Sequence, residues 1–167
     1  MNWNVNNYLK GLAISHVDLQ HTPEKPAFFR EYSTSGILFD NSDFLNKMRY
    51  ANRIALVSQF NEDGGINGVN ADSHSAVNTG AIYIISKTID KDIEQARQKS
   101  KEVLIDIISK IIYDSENNII PSEIQFDIKS IDINTIGMIA DTYFGISAFM
   151  KYTDFSLCFN YKPDKWI

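Results

Sequence analysis

The sequence predicts an α+β domain in which one long helix packs across a face of an antiparallel sheet of about four to five strands. Three patterns predict this fold: apolar residues at helical spacing over 90–113, apolar-polar alternation over 123–129, and an apolar run over 80–86. With 167 residues, 44% of them hydrophobic, the chain can form one domain with a sizeable core. We therefore expect a single domain, with an arm over 1–50 and an α+β core over 51–161.

The first 50 residues predict a short N-terminal helix followed by an irregular arm. A helix over 3–15 is indicated by apolar residues at helical spacing: Val5, Tyr8, Leu9 and Leu12. Pro23 and Pro26 bracket the loop after it. A short strand is expected over 27–32, and a second short helix should follow the N-cap candidates at 40–43.

Two strands with a long polar segment between them come next. Over 53–60, Ile54, Leu56 and Phe60 lie on one predicted face, with Ala55 and Val57 on the other. Residues 80–86 are apolar on both faces, as in a central strand. Between them, 61–79 is rich in Asn, Gly, Asp and Ser, which predicts a long polar loop of the kind that often carries function.

The helix over 90–113 is predicted by a continuous apolar stripe, and Asp90, Asp92 and Glu94 suit the positive end of its dipole. Alternation then predicts a half-buried strand over 123–129, with a bulge or bend near Ser130. Further strands are expected over 144–150 and 155–161, joined as a hairpin through Thr153 and Asp154.

Composition excludes several classes of function. A net charge of −5 and a pI near 5.1 do not suit a generic nucleic-acid-binding surface. A single cysteine excludes a disulfide framework and a cysteine-based zinc cluster. The sequence shows neither the roughly 20 apolar residues of a membrane span nor an export signal, so we expect a cytoplasmic origin and no membrane partner.

Histidines are the first candidates for chemistry. His16 and His21, with Asp18 between them, have neither the spacing nor a third ligand typical of a metal site. They are better interpreted as polar residues at a helix end. His74 lies near Asp63 and Asp72 in the polar loop, where a flexible contact loop is favoured over a hydrolytic or metal-binding one.

The other candidates have equally plain interpretations. Residues 64–68 are glycine-rich, but no helix follows them and no lysine closes a phosphate loop. Cys158 has no neighbouring base, and Asp127 and Asp132 have no acid-base partner. We therefore expect no catalytic residue, no metal and no cofactor, and a binding or structural role in place of enzymatic activity.

In order and character the chain resembles the small neck proteins of tailed phages, particularly tail-terminator or tail-completion proteins. The likeness lies in a short helix, two strands flanking a polar loop, the long helix with its apolar stretch at 107–114, and terminal strands. Residues 14–21 followed by Phe28, Phe29 and Arg30 are also similar to prophage structural proteins. Residues 23–50 form a larger insertion than a minimal terminator needs.

This resemblance implies a virion subunit, assembled in the bacterial cytoplasm, that forms a ring of six or twelve copies between the portal and the tail tube. Portal or adaptor proteins and the tail tube would be its partners, and DNA would pass without sequence-specific contact, which an acidic protein allows. The alternative is a small cytoplasmic enzyme or ligand-binding domain that uses the loop of His74.

Aromatic residues crowd into the first 50 positions, beyond what the core of the predicted helix and sheet requires. Such residues are typical interface anchors, although packing beneath a long loop explains them equally well. Together with two apolar residues of the polar loop, the interface candidates are Trp3, Tyr8, Phe28, Phe29, Tyr32, Phe39, Ile66 and Val69.

Overall fold

In the computed structural model, two α-helices and seven strands are formed by the residues that it describes. Those residues are 3–31, 54–61, 64–67, 74–88, 92–139 and 142–156. The helices are α1 (Val5–Ser15) and α2 (Ile93–Glu116). The strands are β1 (Phe28–Arg30), β2 (Ile54–Gln59), β3 (Gly64–Asn67), β4 (Ser75–Lys87), β5 (Ile124–Phe126), β6 (Asp132–Ile139) and β7 (Tyr143–Asp154).

The two longest strands, β4 and β7, form the centre of the sheet. They pair antiparallel over their whole length, from Ala76 opposite Asp154 to Lys87 opposite Tyr143. The other edge of β4 pairs with both β2 and β3, which lie one after the other along it. The other edge of β7 pairs in the same way with both β5 and β6. β1 extends the sheet beyond β2, so the order along the main path is β1-β2-β4-β7-β5.

The α+β class is confirmed, and the expected antiparallel sheet of four to five strands agrees only roughly with the sheet observed. The sheet has seven strands, and β1 pairs parallel to β2, with Phe28 opposite Leu56. The strands that were not predicted are β6, which follows the bend near Ser130, and β3, which has only four residues. A period of two cannot be established over so few positions.

The polar segment over 61–79 is not a structureless loop in the part that is described. Gly64–Asn67 forms β3, and β4 begins at Ser75, five positions before the predicted strand start at Gly80. Gly64 allows this pairing because a Cβ at that position would overlap the carbonyl oxygen of Val77. The segment therefore contains a β-hairpin that extends the sheet.

The C-terminal strands also differ from the prediction. The strand expected over 123–129 ends at Phe126, and a 3-10 turn at Ile128–Ser130 makes the bend that was expected near Ser130. Thr153 and Asp154 do not link two strands, because both belong to β7. Of the strand predicted over 155–161, only Phe155 and Ser156 are described, and neither is in a strand.

The helices predicted over 3–15 and 90–113 are confirmed as α1 and α2, and their ends differ from the predicted ones by up to three residues. Asn4 caps α1 by accepting a hydrogen bond from the backbone N–H of Asn7 (3.0 Å). Asp92 caps α2 in the same way through the N–H of Gln95 (3.0 Å). The second short helix, expected after residues 40–43, lies outside the described residues.

The sheet buries apolar side chains on both faces, as predicted for β2 and β4. On the face that carries α1 and α2, called here the helix face, Leu56, Ile82 and Ile84 join one large core cluster. Leu104 and Ile107 of α2 pack into the same cluster and are buried completely or nearly so. A smaller cluster lies on the opposite face, and its buried members are Ala55, Val57, Ala81, Tyr83, Ile85 and Tyr143.

Candidate functional site

Both ring nitrogens of His16, the first residue after α1, contact neighbours in the same chain. The Nδ1 atom of His16 accepts a hydrogen bond from the backbone N–H of Asp18 (3.1 Å), which places the proton of the neutral ring on Nε2. That nitrogen faces the carboxylate of Asp106 at 3.4 Å. Because both ring nitrogens are engaged, His16 has no lone pair available to act as a general base.

The second histidine closes the loop between α1 and β1. The Nδ1 atom of His21 accepts from the backbone N–H of Ala27 (3.0 Å) and of Phe28 (3.3 Å). Asp18, which lies between the two histidines in sequence, pairs with Lys99 of α2 at 2.9 Å. This hydrogen bond raises the pKa of Lys99. The interpretation of His16 and His21 as polar residues at a helix end agrees with these contacts.

His74 is half-buried and immediately precedes β4. Its expected neighbours Asp63 and Asp72 lie outside the described residues, as does Cys158. Asp127 and Asp132 are exposed. Within the described ranges, no three His, Cys, Asp or Glu side chains come together where they could hold a metal ion. The hypothesis of a ligand-binding loop around His74 therefore stays a prediction.

An open groove of about 350 Å³ lies between the end of α1 and the middle of α2. Its lining residues are Leu12, Ser15, His16, Val17, Asp106, Ile107 and Lys110. The Ser15 hydroxyl donates to the carbonyl oxygen of Gly11 (3.1 Å), and the Lys110 ammonium group pairs with Asp114 (2.6 Å). The groove thus brings serine, histidine and aspartate together without a free nucleophile or base.

Trp3 and Tyr8, two of the interface candidates, are half-buried inside the chain. The Trp3 ring packs edge-on against Phe126 and Tyr152 on the helix face, with ring centroids 6.2 and 5.8 Å apart. The Tyr8 hydroxyl donates to Asp114 Oδ2 (2.8 Å). Burial, and then this hydrogen bond, raises the pKa of Tyr8 far above its usual value. Both residues therefore have intramolecular roles that fit the packing alternative.

The remaining candidates divide into three groups. Phe28 packs against the core of the helix face, and Phe29 packs against the smaller cluster on the opposite face. Ile66 on β3 is 63% exposed, which suits a contact with another molecule. Tyr32, Phe39 and Val69 lie outside the described residues.

Three polar side chains, those of Tyr83, Gln59 and Glu31, interact near the end of β2. The Tyr83 hydroxyl donates to Gln59 Oε1 at 2.7 Å. Burial, and then the negative charge of Glu31, raises the pKa of Tyr83 to about 12. Glu31 is buried just beyond β1, and its backbone N–H donates to the Ser58 carbonyl oxygen (2.9 Å). The Tyr83 hydroxyl is therefore protonated at neutral pH and donates its hydrogen bond to Gln59.

The most exposed apolar feature of the sheet is its outer strand, β6. We use the name β6 edge surface for β6 together with Phe149, which lies opposite Asp132 on β7. Ile133, opposite Ala148, lies on the helix face, whereas Phe149, whose ring contacts Tyr83, lies on the opposite face. Ile133 is 48% exposed, Met138 is 63% exposed and Phe149 is 46% exposed. Among the described strands, β6 pairs only with β7, and a Cβ on Gly137 would meet no atom within 4 Å.

Sequence reasoning did not select the β6 edge surface. The available signals were an uncharged stretch over 133–140 and a change of alternation after Ser130. Both indicate a strand, but neither shows that it lies at the edge of the sheet. The edge position follows from the pairing of β7 with β4 on its other side.

Comparison of the chain with known protein families, with curated proteins and with solved structures gave no match. Of the helices in the described ranges, neither is long and apolar enough to cross a membrane.

Proposed function

We propose that this protein is a non-catalytic structural subunit of a tailed-phage neck or tail, similar to a tail terminator, and that copies of it assemble into a ring. The observation that carries the proposal is the β6 edge surface, in which β6 pairs with β7 alone among the described strands and large apolar side chains are exposed. The tail tube and a portal or adaptor protein would be its neighbours in the virion.

An open edge strand favours pairing with another strand. Its outward backbone N–H and C=O groups are a template for β-augmentation, and monomeric proteins usually protect such edges with charges, prolines or covering segments. β6 contains no proline, and Asp132 is its only charged residue. Its register with β7 shifts between Ile136 and Ile139, so the regular edge is the part over 132–136. Exposed Ile133 and Met138 add apolar area that a partner strand would bury.

A second edge strand among those described is β3, on the edge of β4 that faces away from β7. β3 pairs antiparallel to β4 and carries the exposed Ile66. Because β6 is antiparallel to β7, and β7 to β4, β6 runs in the same direction as β4 and opposite to β3. A second copy placed beside the first in the same orientation would therefore bring its β3 antiparallel to β6. Contact between two different edges is head-to-tail, and such contacts generate closed rings when the rotation closes.

The charge of the chain suits the position proposed for it. With a net charge of −5, a ring of these subunits would offer passing DNA no overall electrostatic attraction. In the described region, the polar side chains nearest to a catalytic arrangement, those of the groove between α1 and α2, are engaged within the chain. A structural role requires no reactive group.

Disulfide trapping tests the proposed contact. In a Cys158→Ser background, Ile66→Cys combined with Ile133→Cys should give an oxidised ladder of oligomers that ends at a closed ring. Strand pairing brings such positions within the Cα distance of about 4.4–6.8 Å that a disulfide needs. The control combines Ile119→Cys with Ile133→Cys, since Ile119 is exposed after α2 and outside both edges. Dimers formed by Ile133→Cys alone would contradict head-to-tail pairing.

Two observations test the phage assignment separately from the ring. Negative-stain images of the purified protein should show rings of one diameter with a central channel. Genes for portal and tail tube proteins should lie beside the gene for this chain. Rings without such neighbours would support the assembly and contradict the phage context.

A further inference from the structure

The loop between α1 and β1 is held closed by a single imidazole. The backbone N–H of His21 donates to the carbonyl oxygen of Ala13 in α1 (3.0 Å), which fixes the residue to the helix. Its Nδ1 atom accepts from the N–H groups of Ala27 and Phe28, at the entrance to β1. Thr22 and Lys25 form a turn inside the loop, with Lys25 N–H donating to Thr22 Oγ1 (3.0 Å). We call this arrangement the His21 clasp.

The clasp supports a strand contact of the sheet. Ala27 is completely buried, and its carbonyl oxygen accepts from the N–H of Leu56 on β2 (2.8 Å). The N–H of Phe28, which belongs to the same peptide unit as this carbonyl group, donates to His21 Nδ1. A buried backbone N–H that loses its acceptor is costly, so opening the clasp should loosen Ala27 and the start of β1.

We infer that His21 is an acid-sensitive clasp: protonation of its imidazole releases the N–H groups of Ala27 and Phe28 and loosens the connection between α1 and β1. An imidazolium carries a proton on both ring nitrogens, so Nδ1 can no longer accept. Two backbone donors 3.0 and 3.3 Å away would then face a third donor. The bound and protonated states of His21 are therefore mutually exclusive.

The charged surroundings of His21 oppose its protonation. Burial, and then the positive charge of Lys10 on α1, lowers the pKa of His21 below its usual 6.5. Glu24 and Lys25 belong to the loop itself, and Arg30 of β1 extends to the Phe60 carbonyl oxygen (3.5 Å). On β1, the Phe28 ring packs against the imidazole of His21, with the two ring centroids 6.1 Å apart. The clasp should thus be closed above about pH 6.5 and open as the pH falls through the lowered pKa.

Nuclear magnetic resonance of the full chain tests the clasp without a mutation. From pH 7.5 to 4.5, the amide signals of Ala27 and Phe28 should shift with the same midpoint as the His21 ring, below 6.5. Their exchange protection, corrected for intrinsic rates, should fall at least tenfold across that midpoint. The amide of Asp18, which donates to His16, reports on the other histidine in the same spectra. Unchanged protection of Ala27 and Phe28 while His21 titrates would overturn the inference.

A variant separates the hydrogen bond from the charge. In His21→Asn, the side-chain oxygen can occupy the position of Nδ1 and accept, but it does not titrate. Ala27 and Phe28 should then keep their protection at pH 4.5. Equal acid loss in His21→Asn and in the parent would contradict the clasp, because the titrating group would then lie elsewhere.

Discussion

The contact between α1 with the residues after it and α2, called here the seam, differs from the β6 edge surface in whether its side chains have partners within the chain. In the seam, polar side chains find partners within the chain: Tyr8 with Asp114, His16 with Asp106, and Asp18 with Lys99. Along β6, large apolar side chains face solvent and the strand has a neighbour on one side only in the described region. The seam holds one subunit together, whereas the edge has surface left for a partner.

The difference shows why histidines and carboxylates were a poor guide to function here. Such residues attract attention as candidate catalysts, yet in this chain they fasten α1 to α2 and to the loop before β1. The candidate site consists of ordinary apolar residues, and only their place in the sheet distinguishes them. In the proposed assembly, the contact between copies would be made by groups that have no partner within the described part of one chain.

The largest effect should come from a charge in the core beneath α2. Ile107→Asp would place a carboxylate at a position with 1% exposure, which should cost at least about 4 kcal/mol and unfold much of the protein. Ile105→Asp, two positions earlier on the exposed side of α2, is the matched control and should cost less than about 1 kcal/mol. Thermal and urea unfolding measure both. Similar losses in the two variants would show that α2 does not pack as described.

A glycine pair compares the centre of the sheet with its edge directly. A Cβ at position 145 on β7 would overlap the carbonyl oxygen of Ile84, so Gly145→Ala should cost about 3 kcal/mol. Gly137→Ala on β6 meets open space and should be neutral, or stabilising by up to about 1 kcal/mol. Chemical denaturation curves of the two variants provide the comparison. A large loss at Gly137, measured at concentrations where the chain is monomeric, would mean that another part of the same chain covers β6.

A smaller effect is expected in the seam. Tyr8→Phe removes the hydrogen bond to the buried carboxylate of Asp114, which keeps its contact with Lys110, and should cost about 2 kcal/mol. Tyr113→Phe removes a hydroxyl from an exposed tyrosine of α2 and should leave the free energy of unfolding nearly unchanged. If the two variants melt alike, the seam stabilises the subunit less than its geometry indicates.

Much of the fold was accessible from the sequence because its main elements are long. The apolar stripe of α2 and the two-sided apolar pattern of β4 were predicted correctly, as were the faces of β2 on which Leu56 and Val57 lie. The parallel pairing of β1 was not, because strand direction depends on contacts between residues far apart in sequence, such as Phe28 and Leu56. β3 was missed because Gly64 and Gly65 in a polar segment indicate a loop.

The candidate site was less accessible than the fold, for a physical reason. Trp3 was expected at an interface, but its partners Phe126 and Tyr152 lie at the other end of the chain. Ile133 and Met138 are apolar like core residues, but they are exposed because no described part of the chain packs over them. Exposure is a property of the folded sheet and has no local sequence signal.

The central claim, that β6 is a contact between subunits, is tested most directly by the native mass of the protein. We compare the parent chain with the double variant Ile133→Lys/Met138→Lys and with Ile119→Lys, a control that makes the same kind of change at an exposed site outside β6. All three should fold with the same circular dichroism spectrum, and the double variant should lose only the stabilisation that association gives the other two. We expect a single closed oligomer for the parent and for Ile119→Lys, and a 19.0 kDa monomer for the double variant. A parent that stays monomeric at every concentration, or a double variant that still forms the full ring, would contradict it.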